Sequence, residues 1–236
     1  MKQVLFLDVD GVLLDWFPEF LKFIHASRGI SPTKEMYNGG MAADYSLAPL
    51  GAYSIEKHPV YRGREGDMGA DIASFGGTLA WGRLPALDHR NFNSDNRLQG
   101  PASIAKALSS LKNMGVDLHV VSQVGASPQT RLKRVANLTE LFGSVFSSIS
   151  FTRHGESKTE KMGEVINSHY AKGYEMEVGF VEDAPHQLND LLKVDAINTF
   201  GVMQEYNLEL QAEDNKVTWI KDVACLPAHY ANRIYS

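Results

Sequence analysis

Between residues 101 and 202 the chain alternates between segments that read as helix and segments that read as strand. That alternation restricts the fold more than any other feature. Ile104, Leu108, Leu111 and Met114 share one face of a predicted helix, which Gly115 stops. Residues 117–121 read as a strand, and Ser127 with Pro128 opens a helix as cap residue and first-turn proline. Residues 145–151 form a β-branched and aromatic run. A helix is predicted over 157–172, with Met162, Val165, Ile166 and Tyr170 on one face. Residues 177–181 read as a strand, 185–192 as a short helix and 196–202 as another strand. Strands separated by helices pair in parallel and are covered on both faces. The expected class is α/β, a Rossmann-like parallel sheet with helices on both faces.

A further strand is expected far upstream. Val4-Leu5-Phe6-Leu7 is an apolar run closed by Asp8-Val9-Asp10-Gly11. In open α/β sheets ligands bind at the carboxyl ends of strands. Side-chain alternation predicts that Asp8 and Asp10 leave the strand on one side and meet at its tip. Two carboxylates so placed repel each other unless a cation or a shared proton offsets the charge. The plainer alternative is a strand that ends in a solvated acidic turn. Asp15 is expected to cap a helix carrying Phe17, Phe20, Leu21 and Ile24, which ends near Gly29.

Residues 39–100 have a different character, rich in glycine, proline and aromatics without long periodicity. Gly76-Gly77, Trp81-Gly82 and residues 93–96 are turn signals, and Gly100-Pro101 reads as a boundary. The expected division is a discontinuous core, 1–15 with 101–236, interrupted by an insertion over 16–100. An insertion leaving from the first strand would sit over the strand tips, where a lid belongs.

Composition removes several function classes. Of the 236 residues, 44% are hydrophobic and 22% charged, as in ordinary globular proteins. A net charge of -5 argues against a general nucleic-acid or membrane surface. Cys225 is the only cysteine, so no internal disulfide exists, and a packing role is expected for it. No secretory signal is evident, and no stretch approaches the roughly 18 apolar residues of a membrane span. A cytoplasmic setting is expected.

Four segments bring polar residues to the same side of the predicted sheet: Asp8 with Asp10, Ser122 and Gln123 closing a strand, Lys158 opening a helix, and Glu182-Asp183 closing another strand. In this order they resemble the four motifs of the haloacid dehalogenase superfamily: D-x-D-x-[TV], a strand-ending Ser or Thr, a helix-starting Lys and an acidic pair. Here they stand as Asp8-Val9-Asp10-Gly11-Val12, Ser122, Lys158 and Glu182-Asp183. The resemblance covers the sheet domain and leaves 39–100 aside.

It implies a Mg²⁺-dependent phosphomonoester hydrolase with an inserted cap. Asp8 is then the nucleophile that forms an aspartyl-phosphate, and Asp10 the acid and base. The metal ligands implied are the Asp8 carboxylate, the Asp10 backbone carbonyl and Asp183, with Glu182 either a ligand or a neighbour of one. Gly11, Ser122, Gln123 and Lys158 are expected around the phosphate, and Lys158 would neutralise charge. Lys161, one turn later on the same face, is a rival for that role, with Lys158 favoured by its place nearer the helix start. The last motif often adds a further acid, and here Gln187 holds that place with Asp190 beyond it. An acid at Asp10 favours phosphoryl transfer over halide displacement, which needs no leaving-group proton.

The substrate expected is a small phosphorylated metabolite. Trp16, Phe17, Tyr45, Tyr53, Tyr61, Phe75 and Trp81 could stack on a base or sugar, or could pack the core of the insertion. Arg62, Arg64, Arg83 and Arg90 could hold a second anionic group. The stretch from Asp8 to Asp15 is similar to that of deoxyribonucleotidases and of sugar-phosphate mutases and phosphatases. Rival readings are a phosphotransferase or mutase using the same aspartyl-phosphate, an idle binding domain, and a receiver-like phosphoacceptor. No nucleic-acid polymer or membrane partner is expected, and the oligomeric state is left open.

Overall fold

The computed structural model describes residues 1–29, 61, 67–87, 101–125, 127–153, 156–194, 196–203, 207 and 216–234. Six strands form one sheet: β1 (Lys2–Leu7), β2 (Asp117–Gln123), β3 (Ser148–Thr152), β4 (Met176–Glu182), β5 (Ile197–Val202) and β6 (Thr218–Ile220). Their spatial order is β3-β2-β1-β4-β5-β6, and every pairing is parallel. The chain winds outward from β1 in one direction through β2 and β3, then in the other through β4, β5 and β6. The reversal falls between β1 and β4, where Leu7 pairs with Val181. Such a switch point opens a crevice at the carboxyl ends of the two strands. The expected α/β parallel class is the observed one.

The apolar alternation of β1 feeds two layers. Leu5 and Leu7 join a cluster with Leu118, Val120, Ile104, Leu108, Leu111, Leu138, Leu226 and Tyr230. Val4 and Phe6 join Val121, Met162, Phe180 and Leu191 on the other face. The α-helices among the described residues are α1 (Trp16–Arg28), α2 (Met68–Gly76), α3 (Pro101–Asn113), α4 (Pro128–Phe142), α5 (Lys158–Tyr170), α6 (Pro185–Leu191) and α7 (Leu226–Ile234), and short 3-10 turns lie over Ala80–Arg83 and Val223–Cys225. None of these helices is long and apolar enough to cross a membrane.

Boundaries read from local signals hold closely. Gly29 ends α1 at φ 60, and Pro128 occupies the first turn of α4. Ser157 caps α5 by accepting from the Thr159 amide at 3.2 Å. Asp15 stands at the α1 cap position without a side-chain cap hydrogen bond. Cys225 is half-buried against the core.

Two expectations are corrected, and two elements are added. β1 ends at Leu7, so Asp8 and Asp10 lie in the turn beyond it and strand alternation does not place them. Their positions follow instead from a tight turn in which Leu13 and Leu14 amides donate to Val9 and Gly11 donates to Leu14. Gly11 sits there at φ 82, a conformation that L side chains rarely adopt. Tyr170 is 61% exposed, and His169 takes the buried position at the end of α5. His169 continues the helical spacing of Met162, Val165 and Ile166, so regular phase brings an imidazole to the sheet. β6 and α7 have no counterpart in the sequence reading, since a three-residue strand and a nine-residue helix carry too little periodicity to register.

Residues 85–87 return beside the β1 turn. The Asp15 amide donates to Pro85, the Leu87 amide donates to Leu13, and Leu14 bridges Ala86 in antiparallel fashion. Within the intervening segment, Phe75 packs edge-on to Phe20 and to Trp81 with ring centroids 5.5 and 5.8 Å apart. Tyr61 donates to Asp71 at 2.9 Å and is fully buried.

Candidate active site

The β1 turn, the end of β4 and the start of α5 meet at the switch point. Asp8 follows β1, and its amide continues the ladder by donating to the Val181 carbonyl at 3.0 Å. Glu182 and Asp183 close β4 next to it. The Ser157 cap starts α5 so that Lys158 is its first residue and reaches inward. Lys158 Nζ lies 2.8 Å from Asp8 Oδ1 and 2.6 Å from Glu182 Oε2. Lys161 instead pairs with Glu164 at the surface, so of the two lysines Lys158 is the one beside Asp8.

Carboxylate oxygens of Asp8, Glu182 and Asp183 lie within 4.8 Å of one another, and all three residues are buried. Glu182 has its own donors: Lys158 on Oε2, and the amides of Asp183 and Ala184, each 3.1 Å from Oε1. Three donors fix it as the anchor of Lys158. Asp183 is braced through its carbonyl, which accepts from Asn207 Nδ2 at 2.9 Å; the same amide also donates to Val202 at 2.8 Å. Asp190 lies apart, paired with Lys193 at the surface. The half-buried Gln187 amide is 3.2 Å from His186 Nε2.

Ser122 is buried near the carboxyl end of β2, the other neighbour of β1. Gln123 ends that strand and donates to the Glu156 carbonyl at 3.2 Å, so its amide ties β2 to the loop before α5. Gly11 lies in the β1 turn itself.

Asp10 has a partner that the sequence reading missed. Arg134 of α4 is fully buried, with Nη2 2.8 Å from Asp10 Oδ1 and its guanidinium carbon 3.7 Å from the centre of the Trp81 ring. The available signal was positional. Thr130, Arg134, Asn137 and Leu138 fall at helical spacing on one face, and Leu138 marks that face as inward.

Electrostatics follow from burial. Removal from water is the largest effect on Asp8 and raises its pKa to about 6; Lys158 opposes this and Glu182 reinforces it. Asp10 is likewise raised to about 6 by burial, against the pull of Arg134. Burial disfavours the charge on Lys158, yet Asp8 and Glu182 outweigh it and push its pKa up. The cluster thus combines buried oxygen anions with one buried ammonium, groups whose chemistry could hold a hard cation and an anionic ligand.

Of the residues suggested for substrate recognition, Tyr61, Phe75 and Trp81 are buried in packing, Trp16 and Phe17 are half-buried against the core, and Arg83 is exposed. Tyr45, Tyr53, Arg62, Arg64, Arg90 and the turn at 93–96 lie outside the described residues.

No family model and no curated protein matches the sequence. Solved structures do. The chain is similar to a protein assigned as a haloacid dehalogenase-like hydrolase from Bacteroides fragilis, at 14% identity and TM-score 0.56, covering 96% of this chain and 100% of that one. It is similar to the L-2-haloacid dehalogenase of Xanthobacter autotrophicus at 14% identity and TM-score 0.54, covering 98% and 99%. A protein assigned as a β-phosphoglucomutase from Thermotoga maritima gives 16% identity and TM-score 0.52, covering 98% and 99%. With a parallel six-stranded sheet that runs outward from β1 in both directions, and a likeness spanning almost the whole length of each of these structures, the chain has the haloacid dehalogenase-like fold.

Proposed function

We propose that the protein is a Mg²⁺-dependent phosphomonoesterase acting through an aspartyl-phosphate on Asp8. The observation that carries this reading is the placement of Asp8 beside Lys158, with the Asp183 carboxylate in the same buried cluster. Oxygen donors converging within 4.8 Å suit a hard cation, and Asp8 and Asp183 would hold Mg²⁺. Bound there, Mg²⁺ supplies positive charge that screens the phosphate dianion from the entering carboxylate.

The remaining work belongs to side chains. A phosphate monoester resists attack because its negative charge repels nucleophiles, so positioning and neutralisation dominate catalysis. Lys158 Nζ, already 2.8 Å from Asp8, would hold a phosphoryl oxygen and keep Asp8 ionised, while Glu182 fixes the ammonium. Ser122 would donate to a second phosphoryl oxygen from the end of β2. An Asp8 oxygen attacks phosphorus, the ester P–O bond breaks, and the leaving alkoxide takes the proton of Asp10. Water then attacks the same phosphorus, gives its proton to the Asp10 carboxylate, and the bond to Asp8 breaks to release phosphate. A pKa near 6 suits a carboxyl that must both give and accept a proton.

The chain from 16 to 100 is proposed as a cap over this site, its neck formed where residues 85–87 pair with residues 13–15. A small phosphorylated metabolite, met in the cytoplasm, fits a net charge of -5 better than a nucleic-acid polymer does. The test is hydrolysis of p-nitrophenyl phosphate with Mg²⁺ by the wild type and Asp8→Asn. Loss of phosphate release in the variant is expected, and full activity in Asp8→Asn would remove the nucleophile role. Supplying a sugar as acceptor separates hydrolysis from transfer by whether the phosphate appears free or on the sugar hydroxyl.

A further inference from the structure

The opposite end of the sheet carries a second polar cluster. Asp117 and His119 point to one face of β2, and the turn of α5 that buries His169 brings its imidazole against them. Asp117 opens β2, and His169 lies at the end of α5 away from Lys158. Asp117 Oδ2 is 3.5 Å from His119 Nε2 and 3.3 Å from His169 Nε2. Both distances exceed those of good N–H···O hydrogen bonds, which lie near 2.7–3.2 Å. They match the spacing of two ligands on one tetrahedral ion: metal–ligand bonds of about 2.0–2.1 Å put neighbouring ligand atoms about 3.4 Å apart.

We propose that Asp117, His119 and His169 form a metal site for Zn²⁺ or a similar borderline transition-metal dication, separate from the phosphoryl site. Two imidazole nitrogens and one carboxylate oxygen are the donor set such ions prefer over Mg²⁺, and water completes the tetrahedron. Two of the three ligands are also oriented from behind. His119 Nδ1 is paired with Ser148 Oγ at 2.7 Å, and Asp117 Oδ1 accepts from Ser147 Oγ. With Nδ1 turned to a hydroxyl, His119 presents Nε2 to the carboxylate. That nitrogen is buried and has no hydrogen-bond partner. Hydrogen bonds of this kind to the outer ring nitrogen are what fix metal-bound histidines.

Lys2 is the competitor. Its Nζ lies 2.8 Å from the same Asp117 Oδ2, giving the carboxylate a cation. It sits at the start of β1, partly exposed and 5.4 Å from the Tyr174 ring centre, so its flexible stem can withdraw when a dication enters. A purely structural salt bridge predicts that removing Lys2 weakens the cluster. The metal site predicts that it tightens binding.

The experiment is titration of the full chain with Co²⁺ in excess Mg²⁺, read by the visible bands of tetrahedral cobalt. Stoichiometric binding is expected, retained in the double variant Asp8→Asn, Asp183→Asn and weakened by about a hundredfold in His169→Gln. Should His169→Gln fail to fold, Lys2→Met decides: tighter binding supports the site, and equal or weaker binding overturns it. Absence of the bands in the wild type, or bands that depend on Asp8 and Asp183 while ignoring His169, overturns it as well.

Discussion

Arg134 and Asp10 form a buried ion pair, 2.8 Å from nitrogen to oxygen, with the guanidinium carbon 3.7 Å from the centre of the Trp81 ring. The proposed acid of the reaction is thus held by a cation from α4, which in turn lies under the segment that precedes the return at 85–87. Burial alone would carry the Asp10 pKa higher than about 6, and the guanidinium restrains it. Arg134→Gln removes that restraint. The alkaline limb of the kcat/KM profile should move to higher pH, because an acid with a raised pKa keeps its proton longer. Stability should fall by roughly 3–5 kcal/mol, the usual cost of breaking a buried pair. Pairing pH profiles on p-nitrophenyl phosphate with urea melts checks both; an unshifted alkaline limb would detach Asp10 from proton transfer or Arg134 from Asp10.

The two lysines of α5 give a sharper contrast. Lys158→Met should lower kcat by a factor on the order of 10²–10³, since a preorganised cation beside the reacting oxygens is lost. Glu182 and Asp8 would also be left facing each other without their shared partner. Lys161→Met removes only a surface pair with Glu164 and should leave kcat and KM unchanged within error. Equal losses in both variants would contradict the placement of Lys158.

Much of this arrangement was legible in the chain. The apolar run before Asp8, the helix start at Lys158 and the acidic close of β4 are local signals, and each marks an element end that the sheet order then gathers at one crevice. The order itself was not legible, because nothing in β1 says that β4 will be its neighbour. Arg134 escaped for a related reason: a basic residue among Arg131, Lys133 and Arg134 reads as solvated surface until the helix is docked and its inward face is fixed. His169 against Tyr170 is a choice of one residue in helical phase, decided by Asp117 and His119 on a strand some fifty residues away in sequence. Asp8 and Asp10 were rightly brought together, for a wrong local reason, since a turn and not a strand positions them.

Metal and protons should compete at Asp8. The raised pKa values of Asp8 and Asp10, from 3.8 to about 6, mean that the folded state binds protons more tightly than the unfolded one. Their contribution to stability is fully present below pH 3.8 and is lost as the pH rises through about 6. His119 and His169, whose pKa values burial lowers, act in the opposite sense near neutrality. The difference between melts with and without Mg²⁺ cancels the histidines and isolates the carboxylates. A dication needs them ionised, so the Mg²⁺-induced rise in Tm should be larger at about pH 7.5 than at about pH 5. An equal or larger rise at the lower pH would place the metal elsewhere.

Two glycines separate a close approach from an unused freedom. Gly201 of β5 stands between Glu182 on β4 and Trp219 on β6. A Cβ there would lie 2.5 Å from Trp219 Cε3 and 2.8 Å from Val217 Cγ1, and the indole is too rigid to give way. Gly201→Ala should cost about 1–3 kcal/mol by overpacking. Because Glu182 is its partner on the neighbouring strand, the displacement should also reach Lys158 and lower kcat. Gly163, within α5, has nothing within 4 Å of its would-be Cβ. Gly163→Ala should therefore stabilise the protein by about 0.5–1 kcal/mol through helix propensity, with kcat unchanged. Urea midpoints and steady-state rates on both variants test the pair: a Gly201→Ala protein as stable and active as the wild type would mean that β6 does not pack on β5 through Trp219.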